Sequence, residues 1–307
     1  MTKNRANLLL LIASIIWGSG FVVLKFSINA QATPGFINFF RGSLFALLSF
    51  IFFRRPIMRM SRDELKIGLT AGVLNSAGFL SQTIGVAYTT PSRNAFISSA
   101  YVVIIPFVAW LLFRQKLQLK SFLAIALCII GMAVLTGVGA ELTLNRGDFF
   151  SLLSAFFYAG SIVLLSHAAR GTNPGPITFM LASVQAAGGL IYFLFEGPGK
   201  LAALNWSEAL WPLLYISIFC SFIGQAIQVS AQKYTTASSA GLIMMLEGVF
   251  GSLFSIAFGF DQWSLHLLAG GLLITSALVL METDLPQWLR KHSLHPLHML
   301  NQKGSKL

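Results

Sequence analysis

Charged side chains are scarce in this chain. Asp, Glu, Lys and Arg make up 10% of it, against about 25% in an ordinary soluble domain, which excludes a water-soluble globular protein. Cysteine is nearly absent: Cys128 and Cys220 both fall inside apolar runs, give no disulfide framework or Cys-x-x-Cys motif, and read as small buried hydrophobes. No Gly-x4-Gly-Lys-Ser/Thr segment occurs, which excludes ATP-driven pumping within this chain. His167 and His266 lie near the ends of apolar runs and no histidine falls mid-run. An intramembrane enzyme would therefore lack a convergent base, nucleophile or metal set. His292, His295 and His298 recur every third residue, but Pro296 interrupts any helix that would align them, and no carboxylate or Cys joins them. No metal or cofactor is expected.

What the chain has in quantity is apolar length, with 55% hydrophobic residues. A membrane crossing takes roughly 20 mostly apolar residues, and the pattern predicts ten, near 7–28, 34–53, 65–87, 93–113, 118–137, 147–167, 176–195, 209–231, 236–258 and 265–282. The expected fold is an all-α membrane protein whose linkers are too short for a separate soluble domain.

The formal charge of +11 raises the question of a nucleic-acid partner, and its placement answers it. With a cytoplasmic amino terminus, Lys3, Arg5, Arg54, Arg55, Arg59, Arg62, Lys66, Arg114, Lys116, Lys120, Arg170, Lys233, Arg290, Lys291, Lys303 and Lys306 share one side. The opposite loops hold Arg93, Arg146 and Lys200 among five acids. This is the positive-inside bias, and it predicts a multi-pass plasma-membrane protein with both termini cytoplasmic. No basic stripe interleaved with aromatics is left for nucleic acid. Ala30-Gln31-Ala32 after the first run imitates a signal cleavage site, but the run exceeds a usual signal core. The terminal Ser305-Lys306-Leu307 reads as a chance match to a peroxisomal address.

Tyr-Thr-Thr occurs at Tyr88 and again at Tyr234, 146 residues on, each time before an apolar run. In that register Gln82 meets Gln228, Asn75 meets Ser221 and Tyr101 meets Glu247. More loosely, Pro34-Gly35 answers Pro174-Gly175, Trp17 answers Tyr158, and Arg41 answers Gln185 after a shift of a few residues. Each half, 7–139 and 146–283, then holds five spans, with 284–307 a cytoplasmic tail. Because five is odd, the second half enters the membrane from the other side. Such five-plus-five inverted repeats typify secondary transporters, which rock around a site near the midplane.

Polar residues within the spans fall into stripes. Ser221, Gln225, Gln228 and Gln232 stack on one helical face, as do Asn75 with Gln82, then Asn94, Ser98 and Tyr101, then Ser151, Ser154, Tyr158 and Ser161. Unpaired amides cannot face lipid, so these stripes turn inward. There they either join helices by hydrogen bonds or line a wet cavity, and the glutamine row exceeds what one helix contact needs. Among ionisable groups, Lys25 near a span end reads as a snorkelling residue, whereas Arg41 lies about 10 Å into span two at 1.5 Å per residue. It either reaches water and backbone carbonyls or lines the pathway. Glu247, near the middle of span nine, is the one acid so placed. It is a candidate to carry a proton or to pair with a cationic solute group, the alternative being a protonated link between helices. Gly68 with Gly72, Gly188-Gly189, Gly270-Gly271, and Gly241, Gly248 and Gly251 predict close helix contacts, and Pro106 predicts a disturbed span four.

Trp17-Gly18, Arg41-Gly42, the run Tyr101 to Pro106, Leu246-Glu247 and the two Tyr-Thr-Thr-x-Ser turns carry a resemblance. Over roughly residues 7–283 the chain resembles EamA-type members of the drug/metabolite transporter superfamily. Where that family often has Glu-Pro, this chain has Glu247-Gly248. The resemblance implies spans one to four and six to nine around a central cavity, with five and ten peripheral, and an exporter of amino acids or other small metabolites. The expected function is a secondary transporter moving a small organic solute outward by alternating access, with the bilayer as surroundings and a proton as candidate coupling ion. Trp17, Arg41, Asn75, Gln82, Asn94, Ser98, Tyr101, Tyr158, Gln185, Gln225, Gln228 and Glu247 are the expected pathway residues. A membrane enzyme, a lipid-handling protein and a non-transporting scaffold are the alternatives; a scaffold would need neither Glu247 nor the glutamine row.

Overall fold

The structure, a computed structural model, describes residues 1–114, 117, 119–135, 145–168, 172–231, 234 and 243–282. Gln232, Gly241, the second Thr-Thr pair and the histidines of the 284–307 tail lie outside the described residues. The described elements are helical, with no strand among them. They are α1 (Lys3–Asn29), α2 (Pro34–Ile57), α3 (Arg62–Tyr88), α4 (Pro91–Ser99), α5 (Tyr101–Phe113), α6 (Leu119–Leu135), α7 (Arg146–Ala168), α8 (Pro174–Glu196), α9 (Trp206–Tyr215), a π-helical stretch Ile216–Ile223, α10 (Gly224–Ala231), α11 (Leu246–Ala257) and α12 (Leu265–Glu282). Six helical segments are long and apolar enough to cross a membrane: Lys3–Asn29, Pro34–Ile57, Pro91–Phe113, Arg146–Leu165, Pro174–Glu196 and Trp206–Ala231. Leu119–Leu135, Leu246–Ala257 and Leu265–Leu280 are shorter apolar helices.

The tight turns are written in the sequence as a cap followed by proline. Thr33, Thr90 and Asn173 each turn a side-chain oxygen onto a backbone N–H of the helix they open, and Pro34, Pro91 and Pro174 follow, where a missing N–H costs nothing. Tyr88-Thr89-Thr90 thereby becomes a junction almost without a loop: Thr89 closes α3 in extended conformation, and Thr90 caps α4. The α3 start carries a full capping box, Ser61 with Glu64. Glu64 also accepts from the Asn173 N–H at 2.8 Å, tying the starts of α3 and α8. These backbone hydrogen bonds hold its carboxyl below the usual range.

Two predicted spans are interrupted. The fourth breaks at Ala100 into α4 and α5, just before Tyr101, while Pro106 is accommodated within α5. The eighth runs from α9 through the π-helical stretch into α10.

Small residues set the closest contacts. A β-carbon on Gly42 would lie 2.4 Å from the Ala186 backbone nitrogen, and one on Gly189 would lie 2.3 Å from the Phe39 nitrogen, so α2 and α8 run antiparallel at contact distance. Likewise α6 and α12 meet antiparallel through Gly131 against Ile274 and Gly270 against Leu135. Leu47, Phe52, Leu111, Phe195 and Leu272 point outward, Leu111 at 72% exposure. In water such a surface is an aggregation liability, whereas in hydrocarbon it is the favourable one.

Candidate functional site

A cavity opens between the helices, with about 620 Å³ of atom-free space counting its open mouth. Its walls come from α1 (Trp17, Gly20, Phe21, Leu24), α2 (Arg41), α3 (Phe79, Gln82), the first residue of α5 (Tyr101) and α7 (Tyr158). Ile216 and Cys220 from the π-helical stretch, Gln225 and Gln228 from α10, and Met244 and Glu247 complete it. None of the lining residues comes from α6, α8 or α12.

Arg41 is held from two sides. Its Nε donates to Ser221 Oγ at 2.9 Å, and its guanidinium carbon stands 4.2 Å from the Phe79 ring centre, a cation–π contact. It is 4% exposed and has no carboxylate within 4.0 Å among the described residues. Glu247, also buried, hydrogen bonds with Tyr101. The cavity therefore holds one cation and one acid that are not paired with each other. A buried charge without an ionic partner is costly, so such an arrangement persists where a ligand or water completes it.

The remaining polar walls are tied to the scaffold. The Trp17 indole N–H donates to the Cys220 carbonyl at 2.8 Å, and the Tyr158 hydroxyl donates to Gln82 Oε1 at 3.1 Å. Gln228 approaches the Met244 sulfur at 3.8 Å. Tyr158 stands edge-on to both Phe79 and Tyr101, at 5.4 and 6.4 Å, so the aromatic wall is one interlocked cluster.

Of the expected pathway residues, Trp17, Arg41, Gln82, Tyr101, Tyr158, Gln225, Gln228 and Glu247 come together at this cavity. Asn94, Ser98, Asn75 and Gln185 do not. Asn94 donates to Ser151 Oγ at 2.6 Å and Ser154 donates to Ser98 Oγ at 3.3 Å, so those stripes join α4 to α7. Gln185 donates to Asn38 Oδ1 at 3.4 Å across the α2–α8 contact. Asn75 is buried away from the opening. The residues that sequence reasoning missed are mostly apolar: Phe21, Leu24, Phe79, Ile216 and Met244 carry no polar signal. Ser221 did carry one, lying in the glutamine row, but its use as the partner of Arg41 depends on α2.

A helical bundle with a lipid-facing surface and an internal polar cavity defines a multi-pass membrane transporter, and the comparisons agree. The sequence model of the EamA-like transporter family matches residues 4–137 and again 145–283. The chain belongs to that family. It is 31% identical over 258 residues to an uncharacterized transporter of Archaeoglobus fulgidus, covering 82% of this chain and 77% of that one. It is 24% identical over 291 residues to the uncharacterized transporter YvbV of Bacillus subtilis, covering 92% and 93%. In fold it is similar to a protein of known crystal structure, with TM-score 0.64 at 15% identity, over 94% of this chain and 99% of that one.

Proposed function

We propose that this transporter moves a small zwitterionic metabolite of the amino-acid type, outward across the plasma membrane, by alternating access. One observation carries the reading: Arg41 and Glu247 line the same buried cavity without pairing. A solute with a carboxylate and an ammonium group answers both charges at once, and the aromatic wall accommodates an apolar side chain. The outward direction rests on the resemblance to metabolite exporters. A proton on Glu247 is the coupling candidate, because a solute ammonium and a proton compete for the same carboxyl.

The supporting architecture is two five-helix units of opposite orientation, 7–139 and 146–283, with ten crossings and both termini cytoplasmic. The family model matches each half separately. Equivalent contacts recur as well: Gly78 faces the Tyr158 ring, and Gly224, 146 residues later, faces Trp17, the counterpart of Tyr158. The antiparallel α2–α8 and α6–α12 contacts are what a two-fold axis in the membrane plane produces. The excess of Lys and Arg on one side supports the orientation.

Counterflow with protein in proteoliposomes, against a panel of amino acids, nucleosides and quaternary amines, tests the solute class. Zwitterions should exchange, and Arg41→Gln should weaken their binding at least ~30-fold, the effect of truncating one member of a buried charge pair at roughly 2 kcal/mol or more. Glu247→Gln should abolish exchange and any response to a pH gradient in a folded protein. Exchange confined to quaternary amines, or indifference to both substitutions, refutes the zwitterion site. Uptake into everted vesicles tests the direction.

A further inference from the structure

The end of the bundle that holds the α3–α4 junction is fastened by charge. Arg93 Nη2 and Asp148 Oδ2 lie 2.5 Å apart, the one ion pair among the described residues, and link the start of α4 to the start of α7. The acid side chain is 1% exposed and the arginine 25%. Thr89 Oγ1 donates to the other Asp148 oxygen at 3.2 Å. On the neighbouring side Lys25 of α1 donates to the Val86 and Thr89 carbonyls at 2.8 and 3.1 Å, closing the end of α3. Asp261, beyond α11, accepts from Ser255 at 2.5 Å and from the Ser92 N–H at 3.3 Å, and attracts Lys25. Five helices, α1, α3, α4, α7 and α11, thus converge, and Thr89, Ser92, Asp148 and Ser255 are buried. Leu24, a wall of the cavity, directly precedes Lys25.

The sequence holds a counterpart of this cluster without its charges. Asn145-Arg146-Gly147-Asp148 repeats Asn4-Arg5-Ala6-Asn7, 141 residues apart, so Asn7 stands in the place of Asp148. In the register of the Tyr-Thr-Thr turns, Ser239 stands in the place of Arg93 and Gln115 in that of Asp261; Ser166 stands in the place of Lys25. Every charged member of the cluster has an uncharged counterpart. If the two halves are inverted copies, the sequence offers no charge at the positions of the other half that correspond to this cluster.

We infer that Arg93, Asp148, Lys25 and Asp261 form a charged latch that closes the cavity at the α3–α4 end, outward in the proposed orientation, and that releasing it is the step that admits access from that side. The inference rests on the two-sided access reading. Its logic is differential: a buried pair that must separate on opening weights the closed state, while neutral side chains in the corresponding place add no such bias. The latch therefore makes the cavity open more readily toward the end that carries the chain terminus.

Cys220 lines the cavity and is a native reporter of access. In a Cys128→Ala background, a membrane-impermeant methanethiosulfonate is applied to each face of reconstituted protein without solute. Labelling from the latch face should be slow in the parent. It should accelerate at least ~tenfold in Arg93→Ser with Asp148→Asn, which copies the neutral counterparts and leaves no buried charge alone. Asp148→Glu should stay slow, since it keeps the pair. A folded double variant labelled at the parent rate overturns the latch, as does Asp148→Glu labelling as fast as the double variant. If the double variant precipitates, Arg93→Ser alone must accelerate, and an unchanged rate has the same meaning. Gln225→Cys repeats the measurement at a second lining position. Labelling reads access without solute, so a working latch in a protein that exchanges no zwitterion sinks the solute reading and leaves this one standing.

Discussion

The third and eighth predicted spans stand in one sequence register, 146 residues apart, yet they are built and used differently. α3 is an unbroken helix from Arg62 to Tyr88 that brings Phe79 and Gln82 to the cavity. Its counterpart is α9, the π-helical stretch and α10 in sequence, and it brings Ile216, Cys220, Gln225 and Gln228. Each lies against one aromatic residue through a glycine, Gly78 against Tyr158 and Gly224 against Trp17. The polar tip of the aromatic then finds different partners. Tyr158 takes the side chain of Gln82, whereas Trp17 takes the Cys220 backbone carbonyl and leaves Gln228 to the cavity. π-helical turns recur at functional sites because they displace side chains and carbonyls from α-helical register. Here the displaced turn carries Ser221, which orients Arg41. If the halves are the inverted copies proposed above, a local change in one copy makes the site between them asymmetric.

The glycine contacts offer the hardest test of this comparison. A β-carbon on Gly224 would come within 2.4 Å of the Trp17 indole nitrogen, and one on Gly78 within 2.8 Å of the Tyr158 ring. Gly224→Val should cost about 1–3 kcal/mol by overpacking and remove transport, because the indole has to leave the Cys220 carbonyl to make room. Gly78→Val should cost less, since Tyr158 has a side-chain partner able to follow it. Thermal unfolding of the two purified variants checks the order, and equal losses would mean that the two contacts are equally constrained. Next in size is the pair Trp17→Phe and Tyr158→Phe. Losing one hydrogen bond costs about 0.5–1.5 kcal/mol. In Trp17→Phe the loss should appear in stability, because it unties α1 from the π-helical stretch. In Tyr158→Phe it should appear in solute affinity, because it frees Gln82 inside the cavity. Melting temperatures read with and without solute separate the two outcomes.

The bundle and its polar interior were legible in the sequence to a definite depth. Apolar run lengths located most of the described helices to within a few residues, since a crossing has a fixed length, whereas the cap-plus-proline turns at Thr33, Thr90 and Asn173 were not read. Polar stripes located the inward faces, because lipid forbids the alternative. Stripes did not tell a cavity from a contact: Asn94 and Ser98 recur at a helical spacing just as Gln225 and Gln228 do, but Ser151 and Ser154 of α7 happen to stand opposite them. That information lies in the relative placement of helices, which one helix's periodicity does not hold. The π-helical stretch was likewise hidden, since a stripe read at 3.6 residues per turn assumes an α-helix throughout. Phe79 escaped because its role comes from lying under a guanidinium.

The last pair of substitutions discriminates most finely between the two spans. Ser221 and Asn75 are counterparts, polar and buried alike, but Ser221 accepts from Arg41 and Asn75 stands outside the cavity wall. Ser221→Ala removes one hydrogen bond to a charged group, worth about 1.5–3 kcal/mol where nothing replaces it. Bound solute and the Phe79 ring continue to hold the guanidinium, so the observed loss should fall to the lower end, about tenfold in affinity with folding intact. Asn75→Ala should leave affinity unchanged. Equilibrium binding of the same zwitterion to both variants decides the matter. Equal losses would mean that the third span shapes the site as directly as the eighth, and that the asymmetry between the halves ends at the backbone.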